Sequence, residues 1–462
     1  MTDRQKALIE MANRSRQLVL AAERDIWAHP EVGYTEWWTN EYLIEKFEAL
    51  GYELVRADKD ENHGKIPGFY TDVKISDDGP KVAIFGELDA LDIANHPESV
   101  NGMTHCCGHN AQAAYLLGLA AALKEPGALD GLCGTIRLIA VPAEEMIQLT
   151  YREELRKKGV IKYLGGKVEF MERGYLDGID LALMIHAGGD DPEGESPDFA
   201  CSYGSNGCMA KTFRYKGKSA HAGGSPHNGR NAEYAAMLGI NACNALRETF
   251  RDEDHIRFHP IMHGVNCAVN IIPDEMKMES YVRASSLKAI KRENIKVNRA
   301  LASGALAMGC GLELCDRPGY APEVHDPAFM KLVEECCAEI SGKEKVDFDY
   351  SAWDTGSSDF GDVTCVMPGV QYNTCGCTGA FHGIDFQVAD PERVCMNAVR
   401  SLMLVCDELL KNEGARAGEI CANYKPQFGS IREYLDYIDT MCLDVDAVTY
   451  DEDGRATLNY MK

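Results

Sequence analysis

Apolar residues along this chain fall into two regimes. In the first and last parts of the sequence, four short apolar runs, Lys81–Phe85, Thr135–Val141, Leu181–Ile185 and Val366–Tyr372, read as strands. Segments with helical spacing separate them, Ala111–Lys124 and Arg393–Leu410 among them. Strands alternating with helices predict an α/β layer, a central and mostly parallel sheet flanked by helices.

Between about Met209 and Arg317 the order changes. A strand at Ala210–Tyr215 precedes a long helix, Asn231–Phe250, and two strands follow at Ile256–His263 and Glu275–Ala284. A second helix, Leu287–Met308, and a strand at Leu312–Asp316 complete a β-α-β-β-α-β block, the ferredoxin-like α+β arrangement. The predicted organisation is one α/β domain, residues 1–207 and 320–462, interrupted by a small α+β domain, residues 208–319. Glycine, proline and serine mark hinges near Gly188–Gly207 and Pro318–Pro327. The tail beyond Asn412 carries no clear element and is grouped with the first domain.

Composition narrows the possible roles. With 462 residues and 45% hydrophobic content, each domain can bury a core. The longest apolar stretches, such as Leu116–Leu123, fall short of the roughly 20 residues a membrane span needs. Met1–Arg24 has scattered charges and no continuous apolar block, so export is not expected and a cytoplasmic location is. The eighteen cysteines are then expected to be reduced thiols. A formal net charge of −25 repels nucleic acid and anionic membranes, which leaves a small molecule as the expected partner.

The candidate chemistry is positional. Asp89, the pair Glu144–Glu145 and His186 each lie within a few residues of the carboxyl end of a predicted strand, the edge where open α/β sheets bind ligands. Cys107-Gly108-His109 sits in the turn entering the helix Ala111–Lys124, and His382 lies in a glycine-rich loop after the last strand. Each has an ordinary reading alone: a structural turn, an acidic loop, a core histidine, a surface histidine. Together they offer sulfur, imidazole and carboxylate donors to a shared cluster, a set that suits zinc, manganese or cobalt. Two adjacent buried carboxylates raise each other's pKa, so Glu144 and Glu145 are expected to divide their roles, one on a metal and one carrying a proton.

In order along the chain stand Ala28-His29-Pro30-Glu31, Glu87-Leu88-Asp89-Ala90-Leu91, Cys107-Gly108-His109-Asn110 and Pro142-Ala143-Glu144-Glu145. Ser219-Ala220-His221-Ala222, Asn270-Ile271-Ile272-Pro273-Asp274, Asp359-Phe360-Gly361-Asp362 and His382 follow. This series resembles the metal-dependent aminoacylase and carboxypeptidase family (peptidase family M-twenty), in its aminobenzoyl-glutamate hydrolase and indoleacetyl-amino-acid hydrolase branch. The resemblance implies two divalent metal ions held by Cys107, His109, Glu145, His186 and His382. Glu144 would be the general base, and Asp89 would orient a ligand imidazole. It further implies that His221 stabilises the oxyanion from a partner subunit, so that a homodimer forms through the inserted domain, which would also act as a lid. Asn270 or Arg283 would hold the substrate carboxylate. Asn110 in place of aspartate fits the side of the branch that is similar to aminobenzoyl-glutamate hydrolases and β-alanyl-lysine dipeptidases, which tilts the expected substrate that way. Three features depart from the pattern: Glu87 where relatives often carry aspartate, Met146 after the glutamate pair, and a long charged insert, Ile147–Lys167.

Two other readings compete with an amidohydrolase of N-acyl amino acids. One is a dipeptidase or aminopeptidase of the same fold. The other is a metal-bound binding protein without turnover, against which Glu144 argues, since a scaffold has no need of a free second carboxylate. Thiol redox chemistry has little support, because no Cys-x-x-Cys motif is present.

Overall fold

The computed structural model describes residues 1–192, 196–263 and 268–460; residues 193–195 of the first expected hinge lie outside the described residues. The chain builds two large sheets. The first has ten strands, and its centre runs Thr135–Val141, Lys81–Glu87, Leu181–Gly189, Gly369–Thr378, all four parallel. Antiparallel strands flank that centre, Phe69–Lys74 on one side and Phe199–Ser205 on the other. These four central strands are the four apolar runs, and every residue of Thr135–Val141 is buried, as expected for a strand covered on both faces. The mostly parallel α/β layer is therefore present.

The last of the four starts later than its apolar run. Val366 and Met367 fold back onto Val363 in the turn after the helix Phe360–Thr364, and Pro368, with no N–H to give, stands before the strand proper. Likewise Leu181–Gly189 runs past His186, so that histidine lies within a strand rather than beyond its end.

The helix His109–Leu123 is buried almost all round and packs against Arg16–Trp27 and the strand Lys81–Glu87. It begins two residues before the expected start because Gly108, at φ +80°, turns the chain into it. A Cβ there would fall 2.6 Å from Cβ of Ala187, so glycine serves both the conformation and the close approach.

In the second sheet Glu275–Ala284, Gly207–Lys216 and Gly311–Tyr320 are joined antiparallel, with the helices Ala232–Ala245 and Leu287–Met308 crossing at Gly239 and Gly304. The expected strand Ile256–His263 is two short pieces, Arg257–Phe258 and Ile261–Met262, interrupted at Pro260. The tail also departs from its grouping with the first domain. Leu443–Tyr450 pairs antiparallel with Gly311–Tyr320 and carries Ala456–Leu458 outside it, so the tail extends the second sheet. Leu443, Ala447 and Val448 are buried there. A strand edge left bare would expose unpaired backbone donors, and the tail covers it.

The charged insert is a strap between the sheets. It forms the helix Leu149–Lys157, whose Glu153 receives a bidentate pair from Arg317 at 2.6 and 3.1 Å; Arg317 also reaches Asp444 of the tail at 2.7 Å. Among the described residues every cysteine is free, and no helix is long and apolar enough to cross a membrane.

Candidate metal centre

At the carboxyl edge of the central strands, three backbone devices fix the loops. Ala143, at φ +59°, is held by its N–H on Oε1 of Glu36 at 2.7 Å and its carbonyl on the buried guanidinium of Arg152 at 3.1 Å. The N–H of Glu145 donates to Oδ2 of Asp89 at 2.7 Å. His382, also left-handed at φ +61°, is tied by its N–H to the carbonyl of Cys106 at 3.0 Å. Such strained positions persist where the surroundings over-determine them.

These loops bring the five expected ligands together. Sγ of Cys107 lies 3.4 Å from Nε2 of His186 and 3.4 Å from Nε2 of His382, and Oε1 of Glu145 lies 3.1 Å from the same His382 nitrogen. His186 donates Nδ1–H to the carbonyl of Ala187 at 2.8 Å. Nδ1 of His109 lies 3.0 Å from the Asp89 carbonyl and 3.1 Å from its carboxylate. In both rings this turns Nε2 toward the cluster, the usual arrangement behind a metal-binding imidazole.

Three groups of donors lie within 4.8 Å of one another: Cys107–His109–His186, Cys107–Glu145–His382 and Glu87–His109–Glu144. Cys107 belongs to the first two. His109 Nε2 and Glu145 Oε1 are buried and face other members of the cluster, Glu87 and Nε2 of His382, each at 3.1 Å, a crowding of acceptors that is costly in a protein interior unless a cation takes the lone pairs. The donor set therefore fits divalent ions.

Charge is distributed unevenly over the two glutamates. Burial raises Glu144 well above the ordinary carboxylate range, and Glu87, Glu145 and Asp359 add to it. Burial also works against the charge on Glu145, but the hydrogen bond and charge of His382 outweigh it and hold that group down to about 2. Burial and the neighbouring Glu145 push the Cys107 thiol up.

Beneath this cluster sits a group that sequence reasoning missed. Lys167, the last residue of the charged insert, is completely buried, with its ammonium on carboxylate oxygens of Glu87 and Asp359. Glu87 in turn lies 3.1 Å from Nε2 of His109 and accepts from Nε2 of Gln112 at 2.6 Å. Glu87 and Asp359 stood inside motifs already singled out; nothing local marks Lys167 in its charged insert.

A cavity of about 540 Å³ opens over the centre, lined by Cys107, Glu144, Glu145, His186, His382 and, from the second sheet, Arg283. Arg283 reaches Oγ of Ser357 at 2.9 Å and, among the described residues, pairs with no carboxylate. His221 and Asn270 do not line it: His221 is exposed and accepts from the N–H groups of Gly223 and Gly224, while the Asn270 carbonyl accepts from Ala222.

Comparison with known proteins places the chain in a class, enzymes that hydrolyse amide bonds. Residues 83–407 match the family model described as peptidase family M20/M25/M40, and the chain belongs to that family. It is 26% identical to the Xaa-Arg dipeptidase of Homo sapiens over 78% of this chain and 77% of that protein. It is also 26% identical to the N-acetylcysteine deacetylase of Bacillus subtilis, over 75% of this chain and 85% of that one. The fold matches that of the YXEP protein of Bacillus subtilis, described as a dinuclear metal binding peptidase, with a TM-score of 0.61 at 21% identity over 87% of this chain and 99% of that one. The aminobenzoyl-glutamate utilization protein of Klebsiella pneumoniae gives a TM-score of 0.64 at 20% identity over 87% and 98%.

Proposed function

We propose that the chain is a two-metal amidohydrolase that cleaves the amide bond of an N-acyl amino acid or dipeptide-like substrate. The observation that carries this reading is the position of Cys107, its sulfur 3.4 Å from an imidazole of each of two donor groups. One ion would be held by Cys107, His109 and His186, the other by Cys107, Glu145 and His382. Zinc, manganese and cobalt all suit such a mixed shell. Bound there, two divalent ions would supply Lewis acidity and lower the pKa of water toward neutrality.

The chain's own residues do the rest. Glu144 lines the cavity beside the ligands, and burial with three neighbouring carboxylates raises its pKa, which makes its ionised form a stronger base. It takes a proton from the attacking water and returns it to the leaving nitrogen, a cycle that needs a carboxylate free of other partners. Asp89 orients His109, and Arg283 holds the substrate carboxylate. His221 is off the cavity of its own chain and serves the site of a second copy. The helix Ala232–Ala245 exposes Tyr234, Met237 and Leu238 on one stripe, a surface suited to such a homodimer. A thiol-rich chain of this kind is at home in the reducing cytoplasm.

The test is a panel of N-acyl amino acids, aminobenzoyl-glutamate included, and dipeptides, offered to protein reconstituted with each metal and to chelator-treated protein. Hydrolysis that needs metal and falls about 10²–10⁴-fold in Glu144→Gln, with metal content unchanged, is expected. A Glu144→Gln enzyme as fast as its parent would refute the mechanism. Preference for substrates with a free amine and no carboxylate would favour an aminopeptidase instead.

A further inference from the structure

Residues 142–148 join the strand Thr135–Val141 to the helix Leu149–Lys157 without regular structure, and residues 142–146 are buried. Neither a ladder nor a helix satisfies the main-chain carbonyls of such a stretch, so other donors must. Two main-chain N–H groups contribute, Gly166 to the carbonyl of Ala143 at 3.3 Å and Ile147 to that of Glu145 at 2.8 Å. Side chains supply the rest.

Four successive carbonyls accept from three side chains. Nη1 of Arg152 donates to Ala143 at 3.1 Å and Nη2 to Glu145; the hydroxyl of Tyr320 donates to Glu144 and that of Tyr281 to Met146. Arg152 stands on the helix that follows, inside the charged insert, and its side chain is buried. Nη1 also reaches the carbonyl of Leu164 at 2.6 Å, so among the described residues all the hydrogen bonds of this guanidinium go to the main chain. A buried cation is costly unless it is paired, and a carboxylate is its usual partner. Here it faces the peptide groups on either side of Glu144. Residue 33 leaves the space, because a Cβ on Gly33 would overlap Nη2 of Arg152. None of these bonds falls on the Glu144 carboxylate: the main chain is fixed and the side chain is left for the proton.

We propose that Arg152 and Tyr320 are positioning residues for Glu144, holding its main chain from the insert and from the second sheet so that its carboxylate is aimed into the cavity. The proposal rests on the amidohydrolase reading and deepens it. A base displaced by about 1 Å loses on the order of a hundredfold in rate, while a substrate carboxylate on Arg283 is held as before. The effect therefore falls on kcat and not on KM.

Arg152→Met and Tyr320→Phe, each alone and combined with Glu144→Gln, test it on the metal-reconstituted enzyme, with aminobenzoyl-glutamate or the panel member that is hydrolysed fastest. Arg152→Met is expected to lower kcat by about 10–100-fold and Tyr320→Phe by about 3–10-fold, with KM within about twofold and metal content unchanged. Arg152→Lys keeps the charge and should recover part of kcat. In the Glu144→Gln background the same substitutions should change kcat by less than about twofold, because residues acting through one group are not additive. A full further loss in that background, or metal lost in step with activity, would overturn the proposal. Should Arg152→Met fail to fold, Arg152→Lys and Tyr320→Phe carry the same cycle.

The hold itself is read without turnover, by hydrogen exchange of the amides of residues 143–147 in the metal-loaded protein. Exchange there is expected to rise by about tenfold or more in Arg152→Met, or in Arg152→Lys if only that variant folds, and to match the parent in Glu144→Gln. If no panel member is hydrolysed, the amidohydrolase reading fails; faster exchange would still uphold the hold on the main chain, and unchanged exchange would reject it.

Discussion

Lys167 holds Glu87 across eighty residues of sequence, and neither side chain touches solvent. Because Glu87 also contacts His109, the ammonium steadies the floor of the candidate metal centre from below. The second carboxylate on Lys167 is Asp359, whose Oδ2 accepts the Lys167 backbone N–H at 2.9 Å. Burial alone would strip such a lysine of its proton, but Asp359 and Glu87 outweigh it and the group stays charged.

Removing that charge should therefore be expensive. Lys167→Met leaves two buried carboxylates uncompensated and is expected to destabilise the fold by about 3–5 kcal/mol, measured by urea unfolding. Adding Asp359→Leu should recover part of the loss. A Lys167→Met protein as stable as its parent would show that the pair contributes little.

The shared sulfur makes a distinct prediction about stoichiometry. Replacing His186 with alanine disturbs one donor group and should cost one of the two ions, whereas Cys107→Ala disturbs both groups and should cost both. Metal content per chain after dialysis, read by mass spectrometry, separates the two cases. Equal losses in both variants would mean that Cys107 is not shared.

Stability should also depend on pH through Asp362. Burial pushes its carboxyl up to about 8, against the lowering effect of the Tyr434 hydroxyl. Between about pH 4 and pH 8 the folded chain keeps a proton that the unfolded chain has released, so this group's contribution is lost as pH rises through that window. Asp362→Asn keeps the acceptor for Ala321 N–H and Tyr434 and removes the titration. The variant is expected to gain about 1–3 kcal/mol on wild type at pH 8 relative to pH 5, in paired urea melts. Parallel pH profiles for the two proteins would contradict this.

The tail is expected to be part of the fold. Ending the chain after Cys442 removes the strand that buries Leu443, Ala447 and Val448 and takes Asp444 from Arg317. A loss of about 3–5 kcal/mol should follow, together with self-association through the uncovered edge of Gly311–Tyr320. Thermal unfolding and size-exclusion chromatography read both effects. A monodisperse truncated protein with unchanged melting would make the tail an appendage.

Much of this protein was legible in its sequence. The four apolar runs became the four central strands because a strand covered on both faces must be apolar throughout, which is a local property. The donors Cys107, His109, Glu145, His186 and His382 could be picked out because the ends of such strands and the turns after them are fixed by local signals such as Gly108 and Pro142. What the tertiary structure alone decided was which distant groups meet. Lys167 reads as one more charge in a polar insert until packing brings Glu87 and Asp359 around it. His221 and Asn270 carry motif signals as clear as Arg283, yet only Arg283 reaches the cavity of its own chain. The tail shows no strong pattern, and it became a strand because an open edge was there to pair with. Periodicity records how each residue stands to water; pairing between remote side chains depends on register and on the meeting of two sheets, which no short stretch of sequence contains.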